Sequence, residues 1–256
     1  MRRTPLFFET IGASTPPRDV GSPGLWMSPQ IHNRTRIKVC GLTREADVDA
    51  AVEAGADAIG FVLYDKSPRH VSASRAGELA RRLPPFVTPV VLLVNADDVL
   101  LAQALEAVPH ALLQFHGDEP ANRCEQAARP FIRAARMAPG FDLLDFARQF
   151  KAAQALLVDA HVDGYGGGGQ TFDWSLLADL PQSVSRNLIL SGGLHAANVA
   201  EGIRRVRPWA VDVSSGVEVS KGVKDARLMA AFCQAVRQAD LDGAAPRLDP
   251  VVATAA

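Results

Sequence analysis

The sequence predicts a single (β/α)8 barrel. Eight short apolar runs rich in Val, Ile, Leu and Phe occur along the middle of the chain, as expected of strands that are buried on both faces. Segments with helical spacing of apolar residues separate them, and eight strand–helix units close most economically into a barrel. The alternative is an open doubly wound sheet, but the first run leads into CGLT (residues 40–43), which lacks the glycine pattern of a dinucleotide site.

The eight runs define the predicted strands, in chain order: residues 36–41, 58–63, 89–94, 111–115, 131–135, 155–158, 188–190 and 210–213. The clearest helices have a one-sided apolar pattern. Leu101, Leu105 and Val108 form one such stripe, and two more lie within residues 199–206 and 229–236. Apolar residues three, four and seven positions apart allow each helix to pack one face on the sheet.

The two ends of the chain lack this pattern. Residues 1–35 contain several prolines and glycines, and the apolar stretch after Arg2 and Arg3 is too short for a signal peptide. We expect a flexible arm here, or sequence upstream of the true start, with Met27 as the candidate initiator. Residues 237–256 are expected to form an irregular tail, which leaves residues 36–236 as the barrel domain.

Composition excludes several classes of function. The chain has 27 basic and 28 acidic residues, whereas a nucleic-acid binder would show a basic excess. No apolar run approaches the ~20 residues of a membrane span. Three separated cysteines, Cys40, Cys124 and Cys233, fit a reducing cytoplasm better than a disulfide framework. The scattered histidines lack metal-ligand spacing, so no metal is predicted.

Polar residues at the predicted strand ends indicate an active site, because catalytic groups of such barrels lie at the C-terminal ends of the strands. Strand alternation places Lys38 and Cys40 on the inner face of strand one, where a nearby cation favours the thiolate. Asp159 directly follows strand six. A thiol and a carboxylate facing one cavity form a candidate base and acid pair.

Asp212 on strand eight is also predicted to point inward. In a closed barrel this strand lies beside strand one, so we hypothesise that Asp212 pairs with Lys38, because an unpaired buried charge would be costly. Side chains more than about 6 Å apart would reject the pairing.

Two glycine-bearing turns follow strands seven and eight and predict a phosphate site. The residues concerned are Gly192, Gly193, Ser215 and Gly216, whose backbone N–H groups can point at an anion. Arg69, in the loop after strand two, is placed to bind a carboxylate with both arms of its guanidinium. The sequence therefore predicts a phosphorylated small-molecule substrate.

Other residues near the predicted mouth are assigned no chemical role. The glycine-rich segment 164–170 is expected to be mobile and to close over the substrate. Gln114 and His116 share the inner face of strand four and are expected to line the cavity.

Together these segments resemble the phosphoribosylanthranilate isomerases of tryptophan biosynthesis. The likeness covers residues 36–236, where several strand-end motifs occur in order. The matching stretches are residues 38–43, 55–62, 67–69, 114–117, 157–159, 166–174, 190–194 and 211–218.

The resemblance implies an Amadori rearrangement of N-(5-phosphoribosyl)anthranilate to 1-(2-carboxyphenylamino)-1-deoxyribulose 5-phosphate, with no cofactor. Asp159 would be the general acid, which needs a raised pKa, and Cys40 the general base, which needs a lowered pKa. Arg69 would hold the anthranilate carboxylate. The turns after strands seven and eight would hold the phosphate, and Lys38 and Asp212 would support the site.

Three alternatives remain open. A histidine-pathway isomerase performs a similar rearrangement but generally uses two aspartates, whereas an indoleglycerol-phosphate synthase needs a lysine and glutamate set not found at these strand ends. A non-catalytic phosphate-binding barrel would not need both Cys40 and Asp159. The sequence does not distinguish a monomer from a homodimer, and it does not exclude the histidine-pathway substrate.

Overall fold

The computed structural model describes residues 34–160, 171–177, 180–185 and 187–244. They form the predicted closed barrel, in which eight parallel strands are hydrogen-bonded in chain order and the last strand pairs with the first. The strands are β1 (Arg36–Cys40), β2 (Ala58–Val62), β3 (Thr88–Leu93), β4 (Leu112–Phe115), β5 (Phe131–Met137), β6 (Ala155–Ala160), β7 (Leu188–Leu190) and β8 (Ala210–Val213).

Helices connect the strands around the outside of the barrel. They are α1 (Glu45–Ala54), α2 (Ala73–Ala80), α3 (Asp98–Ala107), α4 (Ala121–Gln126), α5 (Leu143–Gln149), α6 (Gln182–Ser185), α7 (Val199–Val206) and α8 (Ala226–Ala244). Side chains that accept from backbone N–H groups fix several starts: Ser72 caps α2, Asp97 caps α3 and Asp142 caps α5. Across the described residues, no helix has the length and apolar character needed to span a bilayer.

Alternation along each strand sorts side chains between two layers, as predicted. On β1, Ile37 and Val39 pack between the strands and the helices, whereas Cys40 belongs to a small inner cluster at the C-terminal ends of the strands. A second apolar cluster fills the barrel interior below it: Ile132, Ala134, Leu157, Ile189 and Ala210. The inner face therefore changes from apolar to polar toward the C-terminal ends, where chemistry is possible.

Two details differ from the sequence prediction. The expected end of the barrel at residue 236 falls inside α8, so residues 237–244 of the expected tail are helical. Their apolar signal is weak because Ala239 is the buried residue there. In addition, an antiparallel hairpin of β9 (Glu218–Ser220) and β10 (Val223–Lys224) lies between β8 and α8. Strands this short leave no readable period in the sequence.

Candidate active site

A cavity of about 220 Å³ lies at the C-terminal ends of the strands. Four predicted site residues, Cys40, Arg69, Asp159 and Asp212, are among those that line it. A larger cleft of about 600 Å³ lies between α2 and α3 on the outer surface, and it holds none of the predicted site residues. The strand-end cavity is therefore the candidate active site.

Cys40 occupies the last inward position of β1 and is buried. Gly60 on β2 leaves space for the thiol, because a Cβ atom at that position would lie 2.7 Å from Sγ. Burial raises the pKa of Cys40, and the neighbouring ammonium of Lys38 opposes this effect only in part. The expectation of a lowered thiol pKa is therefore wrong, because desolvation of the thiolate outweighs its attraction to Lys38.

Lys38 and Asp212 meet inside the barrel where β1 and β8 join. The distance from Nζ to Oδ1 is 2.8 Å, well inside the limit set for the hypothesis, and both side chains are buried. Burial alone would lower the pKa of Lys38, but the charges of Asp212 and Cys40 outweigh burial and raise it. Lys38 is thus held as an ammonium beneath the thiol.

Asp159 faces the cavity from the end of β6 and lies near His116, which directly follows β4. Its Oδ1 accepts a hydrogen bond of 2.8 Å from the N–H of Ala160, and its Oδ2 lies 3.5 Å from His116 Nε2. Gln114 Nε2 lies 3.0 Å from the other ring nitrogen of His116. When Gln114 donates this bond, the proton of a neutral imidazole resides on Nε2, facing Asp159. His116 therefore lies beside the candidate acid, and Gln114 sets the tautomer of His116 when it donates this bond. Strand alternation alone could not reveal these contacts.

Arg69 lines the cavity with a buried, oriented guanidinium. Its Nε and Nη2 atoms donate to the two carboxylate oxygens of Glu218, at 2.7 and 2.8 Å, whereas its Nη1 has no acceptor among the described residues. One edge of the fork thus binds a carboxylate of the protein, and the Nη1–Nη2 edge remains for a ligand. Sequence reasoning missed Glu218, which is 149 positions from Arg69 along the chain.

The glycine turns after β7 and β8 contact each other. Gly192 and Gly193 have φ of 86° and 59°, a left-handed conformation that favours glycine. Gly216 lies directly against the carbonyl oxygen of Leu194 in the neighbouring turn. The N–H groups of Gly193, Ser215 and Gly216 find no acceptor among the described residues, so they can together bind an anion.

Two predictions concern mobile and metal-binding features. The glycine-rich segment 164–170 lies outside the described residues. Within the part of the chain that the structure describes, no group of three or more His, Cys, Asp and Glu side chains could hold a metal ion.

The fold and the cavity define the class: a (β/α)8-barrel enzyme whose titratable side chains gather at the C-terminal ends of the strands. A family model described as N-(5'-phosphoribosyl)anthranilate (PRA) isomerase matches residues 37–235. The chain belongs to this family, as the resemblance of its motifs indicated.

The sequence is similar to those of known isomerases over almost their whole length. The N-(5'-phosphoribosyl)anthranilate isomerase of Methylibium petroleiphilum is 65% identical over 215 residues, which cover 84% of this chain and 100% of that protein. The isomerase of Leptothrix cholodnii is 65% identical over 207 residues, covering 81% of this chain and 93% of its own.

Solved structures give the same result. The crystal structure of phosphoribosyl anthranilate isomerase from Thermotoga maritima matches with a TM-score of 0.72 and 38% identity, covering 80% of this chain and 99% of that one. A phosphoribosyl anthranilate isomerase in complex with reduced 1-(o-carboxyphenylamino)-1-deoxyribulose 5-phosphate matches with a TM-score of 0.69, 36% identity and the same coverage.

Proposed function

We propose that this chain isomerises N-(5-phosphoribosyl)anthranilate to 1-(2-carboxyphenylamino)-1-deoxyribulose 5-phosphate, a step of L-tryptophan biosynthesis. The observation that carries the proposal is the convergence of Cys40, Asp159 and Arg69 on one cavity of a barrel that belongs to this family. A thiol, a carboxyl group and an oriented guanidinium are what the two proton transfers and the anionic substrate require.

In the first half of the reaction, Asp159 acts as the general acid. It protonates the ring oxygen of the ribose while the nitrogen lone pair breaks the bond between C1 and that oxygen, which opens the ring to a Schiff base. The N–H of Ala160, bound to Oδ1, orients the carboxyl group during this transfer, and His116 Nε2 lies 3.5 Å from Oδ2.

In the second half, Cys40 acts as the general base. It removes the proton from C2 of the sugar, the electrons move into the C1–C2 bond and reduce the imine, and the resulting enolamine tautomerises to the ketone. The product is an isomer of the substrate, so atoms and electrons balance within one molecule. No cofactor is required.

Different protein groups bind the carboxylate end and the phosphate end of the substrate. The free edge of Arg69 binds the anthranilate carboxylate, and the N–H groups of Gly192, Gly193, Ser215 and Gly216 bind the phosphate. Lys38, oriented by Asp212 at 2.8 Å, stabilises the thiolate when it forms.

The compartment and the assembly are part of the proposal. We place the enzyme in the cytoplasm, where reducing conditions keep Cys40 a free thiol. A monomer or a homodimer is proposed, and a solved structure of monomers generated from the dimeric Thermotoga maritima protein shares 34% identity with this chain.

A fluorescence assay tests the activity. Phosphoribosylanthranilate is generated in situ, and anthranilate-type fluorescence is followed after the purified chain is added, with the Cys40→Ser/Asp159→Asn double variant as the control for contaminating isomerase. We expect a rapid decrease with the wild-type chain only. Equal traces for wild type and double variant, both with native circular dichroism, would refute the proposal.

A further inference from the structure

The hairpin between β8 and α8 carries two buried charged side chains to which no step above assigns a role. Glu218 opens β9 and Lys224 closes β10, and the two are register partners across the hairpin. Their side chains are 5% and 0% exposed, although both charges would be readily hydrated on a surface. Buried charges are retained only where partners compensate them.

Lys224 connects this hairpin to the end of the barrel wall. Its Nζ donates to Glu218 Oε1 at 2.8 Å and to the backbone oxygen of Ser214 at 3.0 Å. The hydroxyl of Ser214 in turn donates to the backbone oxygen of Cys40 at 3.0 Å. The ammonium therefore ties Glu218 to the strand end that presents the thiol.

Glu218 connects the hairpin to the arginine of the β2 loop. It binds two cations, since Arg69 occupies both carboxylate oxygens and Lys224 shares Oε1. Burial alone would raise the pKa of Glu218, but hydrogen bonds from Arg69 and the charge of Lys224 outweigh burial and lower it. The three groups together keep one net positive charge, which a carboxylate of a ligand would neutralise.

The backbone leaves Arg69 little freedom. Gly41 lies beneath its side-chain stem, where any Cβ would collide with Cδ. Gly222, with φ of 82° at the tip of the hairpin, lies against the loop before Arg69, and a Cβ there would come within 2.7 Å of the Pro68 carbonyl oxygen. The guanidinium is thus held along its stem and on its Nε–Nη2 edge, which leaves Nη1 without an acceptor among the described residues.

We propose that Glu218 and Lys224 form a positioning pair, which orients Arg69 for the carboxylate of the aromatic ring and holds it in register with Cys40. The inference rests on the proposed function, since it concerns the same carboxylate. Pre-orientation lowers the entropy lost when the ligand binds, and a guanidinium held on one edge cannot turn away from the ring. The two residues act through Arg69 and do not touch the substrate.

The test compares two ligands in titration calorimetry. One is reduced 1-(2-carboxyphenylamino)-1-deoxyribulose 5-phosphate, and the other is the same reduced compound without the ring carboxylate. In Glu218→Gln, an NH2 group replaces one of the two oxygens that accept from Arg69. Arg69 therefore loses one of its two hydrogen bonds to residue 218. We expect the Kd of the first ligand to rise at least about tenfold and the Kd of the second to stay within about twofold. In steady-state kinetics with phosphoribosylanthranilate, KM should change more than kcat.

Three variants complete the experiment. Arg69→Ala should show the same loss for the carboxylate ligand, and adding Glu218→Gln to it should cause no further selective loss. Lys224→Met should act in the same direction as Glu218→Gln, which keeps the test valid if one variant folds poorly. Asp240→Asn is the matched control, because this carboxylate binds Thr35 at the opposite end of β1.

The outcomes distinguish the positioning role of Glu218 and Lys224 from the proposed isomerase activity. Equal weakening of both ligands in Glu218→Gln, or no weakening of either, overturns the positioning role while the activity of the wild-type chain stands. Failure of the wild-type chain to bind either ligand or to turn over phosphoribosylanthranilate overturns the proposed function itself.

Discussion

Cys40 lies so close to the backbone of Gly60 that a methyl group at Gly60 would reach within 2.7 Å of its sulfur. The thiol therefore packs against strand β2 on one side and faces the cavity on the other. Asp159 lies near the end of β6, where Oδ1 accepts from the N–H of Ala160 and Oδ2 lies 3.5 Å from His116 Nε2. At the residue scale, the candidate site consists of two proton-transfer groups with little rotational freedom.

Isosteric changes at these two groups should reduce turnover more than binding. We expect Cys40→Ser and Asp159→Asn each to lower kcat at least about 10²-fold with a modest change in KM, because each removes a placed proton-transfer group and keeps its volume. Steady-state kinetics with phosphoribosylanthranilate measures this. A kcat within a few-fold of wild type would remove the residue from the mechanism.

The raised pKa of Cys40 predicts a measurable pH dependence of its alkylation rate. Only the thiolate is alkylated, and burial raises the pKa of the thiol. The iodoacetamide rate at Cys40 should therefore be low at pH 7 and rise with pH through a midpoint above that of an ordinary thiol.

Cys40→Ala supplies the background for this measurement. The other two thiols contribute little, because burial raises the pKa of both Cys124 and Cys233 to about 11. A rate for Cys40 that is already maximal below pH 7 would mean that the charge of Lys38 outweighs burial and lowers the pKa of the thiol.

Much of the site at this scale could be predicted, because strand alternation alone decides which side chains face inward. That rule places Cys40 beside Lys38 and pairs Lys38 with Asp212. It cannot find Glu218, because the contact with Arg69 depends on a hairpin whose strands have two and three residues. Nor can it weigh burial against a neighbouring charge, which is why the direction of the thiol pKa was predicted wrongly.

At the scale of elements, the loop after β4 is held by a buried ion pair. Arg133 of β5 donates to the carbonyl oxygens of Phe115 and Gly117, both at 3.0 Å, and lies 3.7 Å from Glu119. Glu119 accepts from the N–H groups of Asn95 and Gly117, at 2.6 and 2.9 Å. This network fixes the loop that begins with His116, the partner of Asp159.

Removal of Arg133 should therefore destabilise the fold strongly. Arg133→Met leaves Glu119 buried without its cation and several carbonyls without donors, so we expect a loss of about 3 kcal/mol or more in the free energy of unfolding. Arg123→Met is the control, since its partner Asp98 is 89% exposed and exposed pairs contribute less than about 1 kcal/mol. Urea denaturation compares the two, and equal losses would argue against the network.

The eight strands and their order could be predicted at this scale because each run is short and predominantly apolar. Leu188–Leu190 and Ala210–Val213 agree with the prediction at both ends. The last turns of α8 could not be predicted, because residues 237–244 present few apolar side chains. Asp240 shows what holds them: it binds the N–H and hydroxyl of Thr35, a contact distant in sequence.

For the whole molecule, the pair of Lys38 and Asp212 lies where the barrel closes. The two residues are also backbone register partners of β1 and β8. Their ion pair, with side chains 4% and 6% exposed, thus joins the first and the last strand of the sheet. Breaking it affects the junction on which closure depends.

Lys38→Met should lower the free energy of unfolding by about 3–5 kcal/mol, because Asp212 is left in the interior without its cation and must be buried either charged and unpaired or protonated. The double variant Lys38→Met/Asp212→Leu should recover much of this loss, since it buries no charge at all. Chemical denaturation of the three proteins gives the comparison. A single variant as stable as wild type would mean that water or another cation already reaches Asp212.

The same pair implies a test on an incomplete chain. A fragment that ends at residue 209 keeps Lys38 but lacks Asp212, so its first strand would have to bury an unmatched ammonium. In limited proteolysis, we expect the wild-type fragment to be cut faster than the same fragment carrying Lys38→Met. Equal rates would show that the lone ammonium does not oppose assembly of the fragment.

During synthesis on the ribosome, β1 emerges long before β8. Until the last strand arrives, Lys38 lacks its partner Asp212, and burial of its unpaired ammonium would be costly. We therefore expect a prematurely terminated product to remain accessible to proteases. The pair of Lys38 and Asp212 thus also makes favourable burial of the first strand depend on the presence of the last.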